Sequence, residues 1–179
     1  MNYFSFEGIP FLVLAWAGIC IFKPLVTLIH ELGHALPALL LSDDKVFLRV
    51  GNPSKKNYHI VHRLSIEFSI YGGQEGCTGY TLEEKKFCQR ILILLGGPLV
   101  SLLVSLSSGY FLFVDQPSFL WLELVLVSWF CANALAFLRA ALPMRLKPTH
   151  RFPEGPLSDG LQIFYLIKDK LGCKGHRSS

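Results

Sequence analysis

Charge and patterned cysteine are what this chain of 179 residues has least of. Asp, Glu, Lys and Arg make up 17% of it, against 51% hydrophobic residues, where ordinary globular chains carry about a quarter charged. With a mean hydropathy of +0.42, the composition argues against a soluble domain and for a one-domain integral membrane protein. The five cysteines (Cys20, Cys77, Cys88, Cys131, Cys173) are scattered and form no C-x-x-C. Neither a disulfide framework nor a cysteine zinc site is expected. The net charge is only +4, and no basic run is interleaved with aromatics, so nucleic acid is not an expected partner. No Lys or Arg precedes the first apolar run. That does not fit a cleaved secretory signal, and the first span is expected to be retained.

What the chain has is long apolar stretches. Ile9 to Phe22 is apolar, Lys23-Pro24 interrupts, and Leu25 to Leu41 resumes. One helix over 9–41 would be about 50 Å long, more than a bilayer core of about 30 Å needs. Either one long kinked span or a first span followed by a partly re-entrant helix satisfies this. Pro24 and Pro37 each remove a helical hydrogen bond, the second freeing the Gly33 carbonyl. Gly33 also permits close approach of another backbone. Ile91 to Val114 and Phe119 to Leu142 are two further spans, joined by a turn at 115–118, with Trp121 as an interfacial aromatic.

Between the first and second spans the pattern changes. Val46 to Val50 reads as a strand closed by Gly51-Asn52-Pro53. Tyr58 to Ile70 alternates apolar and polar residues, the period of a strand. Gly72, Gly73, Gly76 and Gly79 then break it up. The fold class is therefore an α-helical membrane protein with about three core transmembrane helices and a small membrane-surface β-hairpin or sheet. His59 and His62, three apart on a strand, point to opposite faces and read as surface residues. Thr81 with Glu84 forms a capping box that starts the next helix. Pro143 to Pro156 holds four of the ten prolines and reads as a semi-rigid loop. A last helix, about Ser158 to Leu171, ends at Gly172. Residues 1–172 form the single membrane-embedded domain, and 173–179 a polar tail.

Lys and Arg are absent before the first span and from 115–118, but number seven in 42–89 and eight in 139–179. Three spans with both basic segments in the cytoplasm satisfy the positive-inside rule. If Lys23-Pro24 marks a hairpin instead, only the N-terminus changes side.

In the greasiest part of the chain stands His30-Glu31-Leu32-Gly33-His34. Two histidines four apart on a helix share a face and can grip one metal ion, with Glu31 beside them as a base toward water. Three titratable groups in an apolar helix are expensive and mark a functional site. Catalytic zinc needs a third protein ligand. Glu123 and Asp115 sit at the far turn. His150 and Glu154 lie in the proline-rich loop. Asp159 is better placed, at a helix N-terminus that favours an ionised carboxylate, although a cap for its own helix explains it equally.

His30-Glu31-Leu32-Gly33-His34-Ala35 in a membrane helix, Gly97-Pro98 opening a middle span and Leu157-Ser158-Asp159-Gly160 after a proline-bearing segment together resemble the site-2 protease family of intramembrane zinc metallopeptidases. The order and spacing match from about residue 20 to 165. The resemblance implies a three-helix catalytic core that holds one Zn2+ within the bilayer and is reached from the cytoplasmic side. It implies His30, His34 and Asp159 as ligands, Glu31 as general base, and transmembrane segments of other membrane proteins as substrates. The chain departs from the family at Ala140, where an Asn is usual before the proline, and at Ser101, where an Asn often follows Gly-Pro. Asn133, about 10 Å up the same helical face, is a candidate to orient substrate or stabilise the oxyanion, or else bonds a neighbouring helix. A substrate helix must unwind to be cut, and the strand near 58–70 offers an edge to hold it. The rival reading is a zinc-binding membrane scaffold that has lost peptidase activity. A zinc transporter would want more intramembrane carboxylates or histidines than the spans contain.

Overall fold

A computed structural model describes residues 8–43, 45–51, 58–61, 63–69, 76–80, 85–115, 119–148 and 153–175. Its first element settles the question posed by Lys23-Pro24. Helix α1 runs unbroken over Ile9–Leu41, with Pro24 and Pro37 both inside it. Pro10 sits at its start, where a missing N–H costs nothing. In its last third, Glu31, His34, Ala35 and Ala38 are buried. That i, i+3, i+4, i+7 spacing is a single helical face. Leu36 and Leu40 point away from it, exposed.

Strands β1 (Val46–Val50), β2 (Tyr58–Val61), β3 (Leu64–Phe68) and β4 (Gly76–Gly79) follow. They form one four-stranded sheet in the order β2-β3-β1-β4. The strand expected over 58–70 is thus two strands, paired antiparallel. They part at Arg63, whose guanidinium donates to the Ser42 carbonyl just past α1, a cation on a helix C-terminus. The sheet is mixed, because β1 pairs parallel with β3 and antiparallel with β4. Arg49 and Glu67 lie directly across that parallel pair and form an ion pair at 2.5 Å. Val46, Leu48 and Val50 turn inward and pack with Leu64, Ile66, Ala35, Ala38 and Ile93. Leu48 and Ile93 are fully buried, each worth about 1.5–3 kcal/mol. Of His59 only the backbone is described, and His62 and the Thr81–Glu84 box lie outside the described residues.

Helix α2 spans Phe87–Tyr110 and continues through a wider π turn, Phe111–Asp115. It starts four residues before the expected Ile91, with the Gln89 side chain accepting from the Lys86 N–H at 3.0 Å. Gly96-Gly97-Pro98 therefore lies inside the helix and does not open it. Helix α3 spans Leu120–Ala141. Ser128 on α3 donates to the Ala15 carbonyl of α1, and a Cβ at Gly18 would overlap it. Phe22 meets Trp129 edge-on at 5.2 Å between ring centroids. Ser105 and Gly109 of α2 face Phe130 of α3.

α1, α2 with its π turn, and α3 are long and apolar enough to cross a membrane. Large apolar side chains cover their outside, among them Ile21, Leu103, Phe113 and Trp121. Beyond α3, Met144–Leu146 pairs back on Pro156–Ser158 through hydrogen bonds and a bridge between Arg145 and Leu157. Gly155 turns this ribbon at φ +82°, in the left-handed region that glycine favours. Helix α4, Asp159–Gly175, ends the described chain. It passes through Gly172, contrary to the expected stop. Nothing lies within 4 Å of a Cβ built at Gly172, so this glycine serves neither a turn nor a close contact.

Candidate metal centre

The centre is assembled by three close approaches. Gly33 of α1 and Gly96 of α2 meet backbone to backbone, and a Cβ on either would overlap the other's carbonyl region. One residue on, a Cβ at Gly97 would overlap His34 Nε2 and crowd His30 Cε1. The two glycines thus let α2 lie directly against the histidine face of α1. Gly160 makes the third approach, where a Cβ would overlap the Ala141 carbonyl. This sets the start of α4 against the end of α3. Ala140, at the position where an Asn was expected, is buried beneath that contact.

Asp159 does not cap its helix. Ser158 does, accepting from the Leu161 N–H at 3.2 Å. The same hydroxyl donates to the Leu142 carbonyl at 2.6 Å and accepts from the Met144 N–H at 3.1 Å. One side chain ties the end of α3, the ribbon and the start of α4 together. Asp159 is free to face the histidines.

His30 Nε2 lies 3.2 Å from Asp159 Oδ2, His34 Nε2 3.5 Å from the same oxygen, and the two Nε2 atoms 3.3 Å apart. Four ligands held about 2.0–2.1 Å from a tetrahedral zinc ion stand about 3.3–3.4 Å from one another. The three atoms therefore sit at three corners of such a tetrahedron. His30, His34 and Asp159 could hold a metal ion, and two imidazole nitrogens with one carboxylate oxygen suit zinc among other metals. The outer ring nitrogens are also engaged. His34 Nδ1 is 2.7 Å from the Ile93 carbonyl. A carbonyl only accepts, so Nδ1 carries the proton and Nε2 keeps its lone pair for the cluster. His30 Nδ1 is 3.0 Å from the Ser101 hydroxyl. Such partners fix the orientation of metal-binding imidazoles. Burial opposes ionisation of Asp159, but the neighbouring His30 and His34 outweigh it and hold the carboxyl down at about 2.

Glu31, next to His30, is buried under β4. Thr78 Oγ1 lies 2.6 Å from Glu31 Oε2. Burial pushes the Tyr80 phenol up, and the negative charges of Asp159 and Glu31 push it the same way. Thr78 and Tyr80 carried no signal in the sequence, because the glycine-bounded stretch Gly76–Gly79 has no apolar alternation.

Of the other ligand candidates, Glu154 is exposed and 3.5 Å from Arg145. His150 lies outside the described residues. Asp115 ends the π turn and Glu123 begins α3, at the opposite ends of those helices from the centre. Asn133 is fully buried in α3, with its amide donating to the Trp129 carbonyl of its own helix at 2.9 Å. Its Oδ1 has no hydrogen-bond partner. None of its hydrogen bonds reaches the cluster. The strand edge expected near 58–70 belongs to β2, on the far side of the sheet from β4, about 14 Å away at 4.8 Å per strand. β4 is the edge strand at the centre.

Comparison with protein-family models, with curated proteins and with solved structures finds no match.

Proposed function

We propose that the protein is an intramembrane zinc metalloprotease that hydrolyses peptide bonds in or near the transmembrane segments of other membrane proteins. The observation that carries this reading is the triangle of His30 Nε2, His34 Nε2 and Asp159 Oδ2, with sides of 3.2, 3.3 and 3.5 Å, beside a buried carboxylate on the same helix face, Glu31. Three protein ligands leave a fourth position free, the mark of a catalytic and not a structural zinc site. When bound there, zinc supplies Lewis acidity and lowers the pKa of water toward neutrality.

The chain's own groups supply the remainder. Glu31 takes a proton from the attacking water, holds it while the carbonyl becomes tetrahedral, and delivers it to the leaving amine. His30 and His34 present Nε2 to the centre, with their outer nitrogens held by Ser101 and the Ile93 carbonyl. A substrate helix must unwind first, since its carbonyls are already bonded, and the outer edge of β4 offers the freed segment main-chain partners. The three helices long and apolar enough to cross a membrane support a place in a bilayer. The positive-inside rule supports a centre toward the cytoplasmic face.

Glu31→Gln in the full chain tests the reading. It should leave the metal bound and abolish cleavage of quenched fluorogenic membrane-spanning peptides. Cleavage by the variant at the wild-type rate rejects a peptidase. A second reading, a metal-binding membrane scaffold, is favoured by Ala140. No side-chain amide stands there, and the Asn133 amide is committed to Trp129. In that case the wild type binds metal but cleaves none of the peptides.

A further inference from the structure

We infer that Thr78, on the edge strand of the sheet, is the positioning residue for Glu31; the inference rests on the peptidase reading above. The register explains why this residue reaches the helix. β4 pairs antiparallel with β1, with Thr78 opposite Leu48 and Gly76 opposite Val50. Residues opposite each other across a pair share a face of the sheet, and successive residues alternate faces. Leu48 and Val50 point into the core against α1. Gly76 and Thr78 therefore face α1 as well, while Cys77 and Gly79 face away.

The two inward residues engage the two oxygens of one carboxylate. The Thr78 hydroxyl stands 2.6 Å from Glu31 Oε2 and donates to it, since an ionised carboxylate only accepts. Its other acceptor within reach, the Glu31 carbonyl, is farther, at 3.2 Å. Gly76 walls the opposite oxygen, because a Cβ there would overlap Oε1 and crowd the carboxyl carbon and Thr27. A hydroxyl on one oxygen and bare backbone against the other fix the rotation of the carboxylate. An unattached glutamate has three side-chain torsions to settle, and a base must sit within hydrogen-bond reach of the proton it abstracts. The sheet thus contributes to the chemistry through two residues of a four-residue, glycine-bounded edge strand.

The test compares zinc-loaded full-length wild type, Thr78→Val, Thr78→Ser, Gly76→Ala and Glu31→Gln on a library of quenched fluorogenic membrane-spanning peptides in micelles. Metal content is measured for each. Val has the shape of Thr and a high strand preference, so it removes the hydroxyl and little else. Thr78→Val should lower kcat about 10- to 100-fold with KM and metal content unchanged. Thr78→Ser should stay within about threefold of wild type, and Gly76→Ala should fall in kcat by an amount similar to Thr78→Val, by displacing Oε1. If Glu31→Gln is inactive while Thr78→Val and Gly76→Ala turn over like wild type, the positioning role is overturned and the peptidase stands. Equal losses in Thr78→Val and Thr78→Ser also overturn it, since they point to packing and not to the hydroxyl. If Glu31→Gln is as active as wild type, or wild type cleaves nothing, the peptidase reading fails and the inference falls with it.

Discussion

The hydroxyl of Ser101 sits at the outer nitrogen of His30, where it controls which face of the imidazole is offered to a metal. Ser101→Ala should weaken zinc binding about 10- to 100-fold, the usual cost of losing an orienting partner, with competition against a chromophoric chelator as the measurement. Asp159→Ala removes the carboxylate proposed as the third ligand and should leave less zinc on the purified protein than Ser101→Ala does. Retention of a full equivalent would exclude Asp159 from the ligand set. Ser158→Ala removes a helix cap and two further hydrogen bonds at once. A lost cap costs about 1 kcal/mol, so thermal unfolding in detergent should shift downward by more than a single cap predicts. His30, Glu31 and His34 were legible in the sequence because a spacing of four on a helix fixes a shared face without knowledge of anything else. Asp159 was legible from its place at a helix start and from motif order, but spacing left a cap as an equal reading, and its freedom to face the histidines depended on Ser158 taking the cap. Thr78 and Tyr80 were not legible. Their place is set by pairing with β1, a long-range contact that leaves no local pattern.

Among the elements, the glycines separate those the fold requires from those it tolerates. Gly97→Ala would set a methyl on His34 Nε2 and should lose metal, read by metal analysis, even where the helices still form. Gly172→Ala should do the opposite. The position lies inside α4 with open space around it, and replacing a mid-helix glycine gains about 0.5–1 kcal/mol. A loss of stability there would contradict the continuous helix over Asp159–Gly175. The sequence pointed to the wrong end for α4 because a glycine after an apolar run usually marks a helix stop. Here Lys170 packs over the Phe87 ring at 3.8 Å, and that contact with α2 holds the last turns. The long apolar helices were legible from composition and length. The division of 58–70 into β2 and β3 was not; it is an antiparallel pairing that the alternation alone does not mark, with Arg63 at the junction donating to the Ser42 carbonyl.

For the molecule as a whole, the end of α1, the start of α2, the end of α3 and the start of α4 converge on one region. The sheet joins them there through α1 and β4. Both basic segments leave from this end, which fits a single cytoplasmic side. Lys45→Cys and Lys147→Cys should react with a membrane-impermeant thiol reagent from the same side of sealed vesicles, in a background without native cysteines. Phe119→Cys should react only from the other side. Labelling of the first two from opposite sides would break the three-span arrangement.

The link between His30 and Asp159 joins residues 129 positions apart. A ribosome adding about 5–20 residues per second needs about 6–25 s to pass from one ligand to the other. During that interval the first two helices can enter the membrane with the histidine pair present but lacking its carboxylate. The centre closes only after Asp159 has been made and α4 has docked. On the proposed reading, the histidine pair and Glu31 stay without hydrolytic power until Asp159 has been made and has reached them.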